Sequence, residues 1–163
     1  MTLVLIGPPG AGKTRLGKRV ARALDLPFID TDKRIVADHG AIAEIFATHG
    51  EAHFRAIERA EVQRALGEDA VVSLGGGAIL DPDTQAELAS HRVALVTVSA
   101  EAVESRIGDK RPLLTGGIES WRAMMEARGA LYESLGDRSW DTSKRPIETI
   151  AKEIALWARE AMK

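Results

Sequence analysis

Leu3-Val4-Leu5-Ile6-Gly7-Pro8-Pro9-Gly10-Ala11-Gly12-Lys13-Thr14 decides the fold. Leu3 to Ile6 is a continuous apolar run, as expected of a strand buried on both faces. Gly7 to Thr14 fits the spacing G-x-x-x-x-G-K-[ST], a phosphate-binding loop. Glycines let the backbone wrap with its N–H groups turned inward, where a phosphate chain can replace water. The following helix adds the partial positive charge of its N-terminus. Lys13 supplies a mobile cation for the outer phosphates, and Thr14 a hydroxyl for Mg²⁺. A chance Gly/Pro turn is the other reading; the strand before and the helix after favour nucleotide binding.

Outward from the loop, apolar runs alternate with amphipathic stretches. Leu16, Val20 and Leu24 form one stripe of a first helix, which Asp25-Leu26-Pro27 ends. Phe28-Ile29-Asp30 is a short strand with Asp30-Thr31-Asp32 at its C-terminal end. Helices are expected over about 33–48 and 51–66, broken near Gly40 and Gly50. Further strands are expected at Ala70–Leu74, Val93–Val98 and, weakly, Ser139–Thr142. Helices are expected from Asp81-Pro82 to about Ala89, from Ala100 to Ile107, over Trp121–Leu135 and over Pro146–Met162. Gly108–Gly117 has little periodicity and reads as a mobile surface loop. Alternating strands and helices predict an α/β fold, a parallel sheet with helices on both faces. Ligands in such sheets bind beyond the C-terminal strand ends, where the glycine loop, the paired aspartates and Gly75-Gly76-Gly77 all fall.

The chain of 163 residues is expected to form a single domain, with neither repeat nor linker. Its formal net charge of −2 argues against a general grip on nucleic acid. Without cysteine, disulfides, thiol catalysis and Cys-ligated zinc are excluded. The apolar run before the loop is too short for a signal-peptide core, and no run approaches a membrane span. A cytoplasmic monomer without membrane attachment is expected. His39, His49, His53 and His91 show no ligand or triad spacing and read as non-catalytic.

Several residues suit phosphoryl transfer. In an extended segment, alternate residues share a face, so Asp30 and Asp32 would both point at the loop. One could hold Mg²⁺ through water while the other orients or deprotonates an acceptor hydroxyl; the alternative is a helix cap. The 75–77 glycines allow close approach of a ligand, or simply a flexible turn. Arg128 shares a helix face with Trp121 and Met124, so it clamps an anion, joins an internal salt bridge or snorkels past the helix edge. Arg55 either serves the same purpose or pairs with Glu51 or Glu58. Lys110 and Arg111 could arrive with a closing lid.

Together these residues resemble the shikimate kinase family over nearly the whole chain. The resemblance rests on Gly7–Thr14, Asp30-Thr31-Asp32, Gly50-Glu51-Ala52-His53-Phe54-Arg55 and Gly75-Gly76-Gly77. It continues through Arg111-Pro112-Leu113-Leu114 and Arg128-Gly129-Ala130-Leu131-Tyr132. It implies ATP- and Mg²⁺-dependent phosphorylation of the shikimate 3-hydroxyl, a step toward chorismate and aromatic amino acids. It implies a three-layer α/β/α sandwich of the P-loop kinase type with a five-stranded parallel sheet. The lid would be about 108–117 and the acceptor-binding segment about 31–61. Nucleotide contacts would come from Gly10, Ala11, Gly12, Lys13, Thr14, Arg15, Arg106, Arg111 and Arg145, with adenine between Arg106 and the Arg145-Pro146 turn. Thr14 would ligate Mg²⁺ and Asp30 a metal-bound water. Asp32 would be the base, with Lys13 and Arg111 neutralising phosphoryl charge. Arg55 and Arg128 would clamp the substrate carboxylate beside Gly75, Gly76 and Gly77. At Val36 the family often has a glutamate that supports the first of these arginines; here Glu58 is left to do so.

Two other readings are weighed. A kinase for gluconate or a nucleoside monophosphate would share the loop and could use two arginines. The D-x-D, triple-glycine and R-P-L-L combination favours shikimate. A non-catalytic nucleotide-binding module would not need Asp32 or Arg111, and a GTP switch would carry an N-K-x-D motif that is missing here.

Overall fold

The computed structural model describes residues 1–107 and 117–160. Strand β1 (Thr2–Ile6) leads through the glycine loop to α1 (Lys13–Leu24). Then follow β2 (Phe28–Asp30), α2 (Thr31–His39), α3 (Ile42–His49) and α4 (Glu51–Leu66). Strand β3 (Ala70–Ser73) gives way to a single 3₁₀ turn, Ala78–Leu80, and α5 (Pro82–Leu88). The described chain closes with β4 (Arg92–Thr97), α6 (Ala100–Ile107), α7 (Gly117–Leu135), β5 (Arg138–Asp141) and α8 (Ile147–Glu160). All pairings are parallel, in the order β2-β3-β1-β4-β5.

The period of two along each strand divides the core. Leu3, Leu5, Val71, Ala94 and Val96 face one layer, where Leu16 and Val20 of α1 meet Ile150 and Ile154 of α8. Val4, Ile6, Val72, Val93 and Leu95 face the other, against Val62 and Leu66 of α4, Leu88 of α5 and Tyr132 of α7. The expected three-layer α/β/α sandwich with a five-stranded parallel sheet is therefore present. Beside it, Ile35, Ile45 and Phe54 make a small separate cluster joining α2, α3 and α4.

The topology makes the crevice. Neighbouring strands β1 and β3 send their connections to opposite faces, to α1 and to α5. Such a divergence opens a cleft beyond the strand ends. Strand limits move by no more than one residue from those expected, and the 3₁₀ turn was not foreseen. Helix α7 begins at Gly117, four residues before the expected Trp121, because Ile118 also packs into the core. No helix of the described residues is long and apolar enough to cross a membrane.

Candidate active site

Beyond β1 the loop needs glycine at both ends, at Gly7 for space and at Gly12 for backbone conformation. A β-carbon at Gly7 would lie 2.2 Å from Val96 O, and Gly12 enters α1 with φ of +86°, a left-handed conformation. Lys13 follows as the first helical residue, and its Nζ donates to Gly7 O at 2.6 Å and Pro8 O at 3.1 Å. Burial lowers its pKa to about 8, against the opposing pull of Asp32 and Asp30.

The acidic pair comes together by a different route from the one expected. Asp30 ends β2 and caps α2, accepting the Lys33 N–H at Oδ1, while Asp32 lies in the first helical turn. Thus strand alternation does not align them; the cap does. Asp30 Oδ2 still accepts the Thr14 hydroxyl at 2.8 Å, so capping and facing the loop are both satisfied. Burial raises the Asp32 pKa and repulsion from Asp30 adds to it, while Lys13 and Arg55 oppose. Asp30, Asp32, Lys13 and Thr14 line one cavity of about 950 Å³, with Gly75 and Gly76 on its wall.

The glycine turn after β3 is where the remaining groups converge. A β-carbon on Gly75 would strike Asp32, and one on Gly77 would lie 2.6 Å from an Arg55 guanidinium nitrogen. On Gly76 it would meet Pro9 of the glycine loop at 3.3 Å and Arg128 at 3.8 Å. Arg55 donates to Glu58 Oε1 at 2.8 Å and lies 3.6 Å from Glu51 Oε1. Burial raises the Glu58 pKa, with Arg55 opposing. Arg128 is half-buried on the face of α7 that carries Trp121 and Met124. Two arginines, a buried acid and a carboxylate with raised pKa thus surround one turn beside a phosphate cradle.

The shikimate kinase family model matches residues 9–159. The chain belongs to the shikimate kinase family. The shikimate kinase of Streptomyces avermitilis is 43% identical over 166 residues, spanning 98% of this chain and 97% of its own. That of Mycobacterium tuberculosis is 42% identical over 157 residues, 93% of this chain and 89% of its own. Among solved structures, a shikimate kinase from Acinetobacter baumannii in complex with shikimate superposes with a TM-score of 0.89. It is 28% identical, and the match covers 98% of this chain and 93% of that one. A gluconokinase from Sinorhizobium meliloti, TM-score 0.64 and 20% identical over 99% of this chain and 93% of its own, shares the fold alone.

The glycine-loop end of the cavity holds more than the motif announced. Arg106 donates to Gly10 O at 2.9 Å and to both oxygens of Thr142. Arg145 pairs with Glu153, and Arg15, Arg106, Arg145 and Thr142 all line the large cavity. Three residues with no assigned role touch the site's backbone. The Trp121 indole donates to Pro9 O at 2.8 Å, the Tyr132 hydroxyl to Gly76 O at 2.7 Å, and the Thr142 hydroxyl to Ala11 O at 2.7 Å. The only sequence signal was helical spacing, Trp121 lying seven residues before Arg128 and Tyr132 four after it; Thr142 offered none. Val36 is exposed, and Glu58 and Glu51 are the acids that meet Arg55. Arg111, Lys110 and the expected lid lie outside the described residues, apart from Gly117, which opens α7.

The donor set near the loop suits Mg²⁺. A hydroxyl and a carboxylate oxygen, Thr14 and Asp30, are hard ligands already in contact. Among the described residues no cluster of three or more His, Asp or Glu side chains forms a cage for a metal. That is compatible with an ion held by one or two protein oxygens, waters and substrate phosphates.

Proposed function

We propose that this protein transfers the γ-phosphoryl group of ATP to the 3-hydroxyl of shikimate, giving shikimate 3-phosphate and ADP. The observation that carries the reading is the convergence of Asp32, Arg55 and Arg128 on the 75–77 turn, within reach of the glycine loop. Phosphoryl transfer asks the protein for positioning and charge neutralisation more than for covalent chemistry.

The roles follow from the surroundings. The loop amides and Lys13 hold the phosphates; Thr14 would ligate Mg²⁺, and Asp30 would hold it through a bound water. The ion, when bound, neutralises charge on the phosphates. Asp32 accepts the proton of the attacking hydroxyl, and its raised pKa makes it a stronger base than an ordinary aspartate. Arg55, steadied by Glu58, and Arg128 grip the carboxylate at the far end of the acceptor. That grip is remote from the reacting oxygen, so its binding energy can be used to orient the attack. Arg111 adds positive charge at the transferring group.

The test is an ADP-release assay with Mg²⁺ and ATP over a panel of shikimate, gluconate and nucleoside monophosphates. Turnover with shikimate alone is expected. Turnover with another member alone would reassign the acceptor, and ATP binding without transfer to any of them would make the chain a binding module.

A further inference from the structure

Three consecutive carbonyls of the glycine loop are each held from outside by a side chain of the C-terminal half. Pro9 O accepts from Trp121, Gly10 O from Arg106 and Ala11 O from Thr142. The last contact is the most enclosed. Thr142 is 5% exposed, and its hydroxyl lies 2.7 Å from Ala11 O but 3.3 Å from Thr97 O. A hydroxyl has one proton. The shorter contact takes it, and the oxygen accepts from Arg106 at 3.3 Å.

The fold sets Thr142 in this place. Strand β5 pairs with β4 as far as Asp141 opposite Thr97, and the Thr142 N–H carries the ladder one step on, to Thr97 O at 2.9 Å. The side chain therefore leaves the sheet at its C-terminal edge, against the loop that follows β1. The peptide linking Ala11 to Gly12 is trans, as are all described peptides. In a trans peptide the C=O and N–H point opposite ways. Holding Ala11 O toward Thr142 aims the Gly12 N–H away from Thr142.

We propose that Thr142 is a positioning residue for the nucleotide phosphates: its hydroxyl fixes the Ala11–Gly12 peptide so that the Gly12 N–H is presented to them. This rests on the glycine loop's being the nucleotide site. Thr142 also lines the cavity near Arg106 and Arg145, so a direct contact with adenine is the competing role. The two roles differ in what they do to a ligand without phosphates.

The experiment measures ADP and adenosine binding by calorimetry to the wild type, Thr142→Val and Thr142→Ser. Valine keeps the shape and removes the hydroxyl; serine keeps the hydroxyl. Thr142→Val should weaken ADP about tenfold, the scale of one lost hydrogen bond to a buried carbonyl. Adenosine should bind it as it binds the wild type, and Thr142→Ser should hold ADP within about twofold. Equal losses for ADP and adenosine would overturn the proposal in favour of an adenine contact. So would unchanged ADP affinity in the valine variant. An ADP loss of about tenfold in the serine variant overturns it too, even if the valine variant does not fold. Failure of the wild type to bind ADP would instead sink the nucleotide reading of the loop, and this proposal with it.

Discussion

The Asp32 carboxylate rests directly on the backbone of Gly75: a β-carbon added there would fall 2.5 Å from Asp32 Oδ1 and 2.8 Å from Oδ2. Two elements distant in sequence, the start of α2 and the turn after β3, are thus matched with no space to spare. Gly75→Ala should displace the carboxylate without touching the glycine loop. The expected outcome is a fall in kcat of about 10²-fold, the scale on which small misplacements act. ADP affinity by calorimetry should stay unchanged; its loss would mean that the 75–77 turn supports the nucleotide as well.

Asp32→Asn removes the proposed base and keeps the shape. Turnover should fall by about 10²–10⁴-fold, with ATP binding intact. A direct sign follows for pH. A carboxyl whose pKa is raised on folding binds its proton more tightly in the folded state than in the unfolded one. Its contribution to stability is then most favourable below the unfolded pKa and declines as pH rises through the folded pKa. The asparagine variant should therefore melt at a higher temperature than the wild type at neutral pH and lose that advantage on acidification. In the wild type, kcat should rise with pH through a value above the ordinary aspartate range. A lower Tm for Asp32→Asn at neutral pH would contradict the raised pKa.

How much of this was legible in the chain depends on the range of the interaction. Gly7–Thr14 was readable because its constraints are local: left-handed glycines, a strand before and a helix after. Arg128 was readable because helical spacing alone puts it on the face of Trp121. Asp30 and Asp32 do face one cavity, but through a helix cap rather than the extended segment expected, since an N-cap and an extended strand end look alike in sequence. The polar contacts of Thr142, Tyr132 and Trp121 were not readable. Their polar atoms act on carbonyls 131, 56 and 112 residues away, and only the completed sheet brings these together. The strand order β2-β3-β1-β4-β5 was likewise not read, because alternation of strands and helices fixes the layers and leaves the order open.

Arg55 has two acidic neighbours of unequal worth. Glu58 has a side chain 5% exposed and sits at 2.8 Å, whereas Glu51 is 69% exposed and sits at 3.6 Å. With Val36 in the third position, Glu58 carries the support of Arg55. Glu58→Gln should raise the acceptor KM by roughly 10- to 100-fold, as expected for about 1.5–3 kcal/mol from a charged hydrogen bond. Glu51→Gln should change it by no more than about 1 kcal/mol, the range of an exposed pair. Steady-state kinetics at saturating ATP distinguish the two, and equal effects would remove the distinction drawn from burial.

Lys13 gives a measurable proton. Burial lowers its pKa to about 8 in the free protein, and a bound phosphate chain must raise it by favouring the ammonium form. At pH 8.5, nucleotide binding should therefore take up protons. ADP affinity should fall as pH climbs above about 8. Calorimetry in buffers of different ionisation enthalpy reads the uptake directly. An observed enthalpy independent of the buffer at that pH would show that Lys13 is already fully charged before binding.

Arg128 separates grip from scaffold. It lies half-buried on α7 between Trp121, which holds Pro9 O, and Tyr132, which holds Gly76 O. The Tyr132 hydroxyl also meets the guanidinium, whereas the Trp121 contact does not involve it, so the helix keeps its anchors on the site's backbone when the guanidinium is removed. Arg128→Ala should leave α7 in place and weaken acceptor binding by about 2–5 kcal/mol, the range for stranding one member of a buried charge pair. ADP affinity should be unaffected. Arg128→Lys should recover only part of the loss, because a single ammonium cannot reproduce a two-pronged contact with a carboxylate. Acceptor titration and ADP calorimetry on both variants check this. If acceptor affinity survives in Arg128→Ala, Arg128 is part of the scaffold around Tyr132, and Arg55 alone holds the acid.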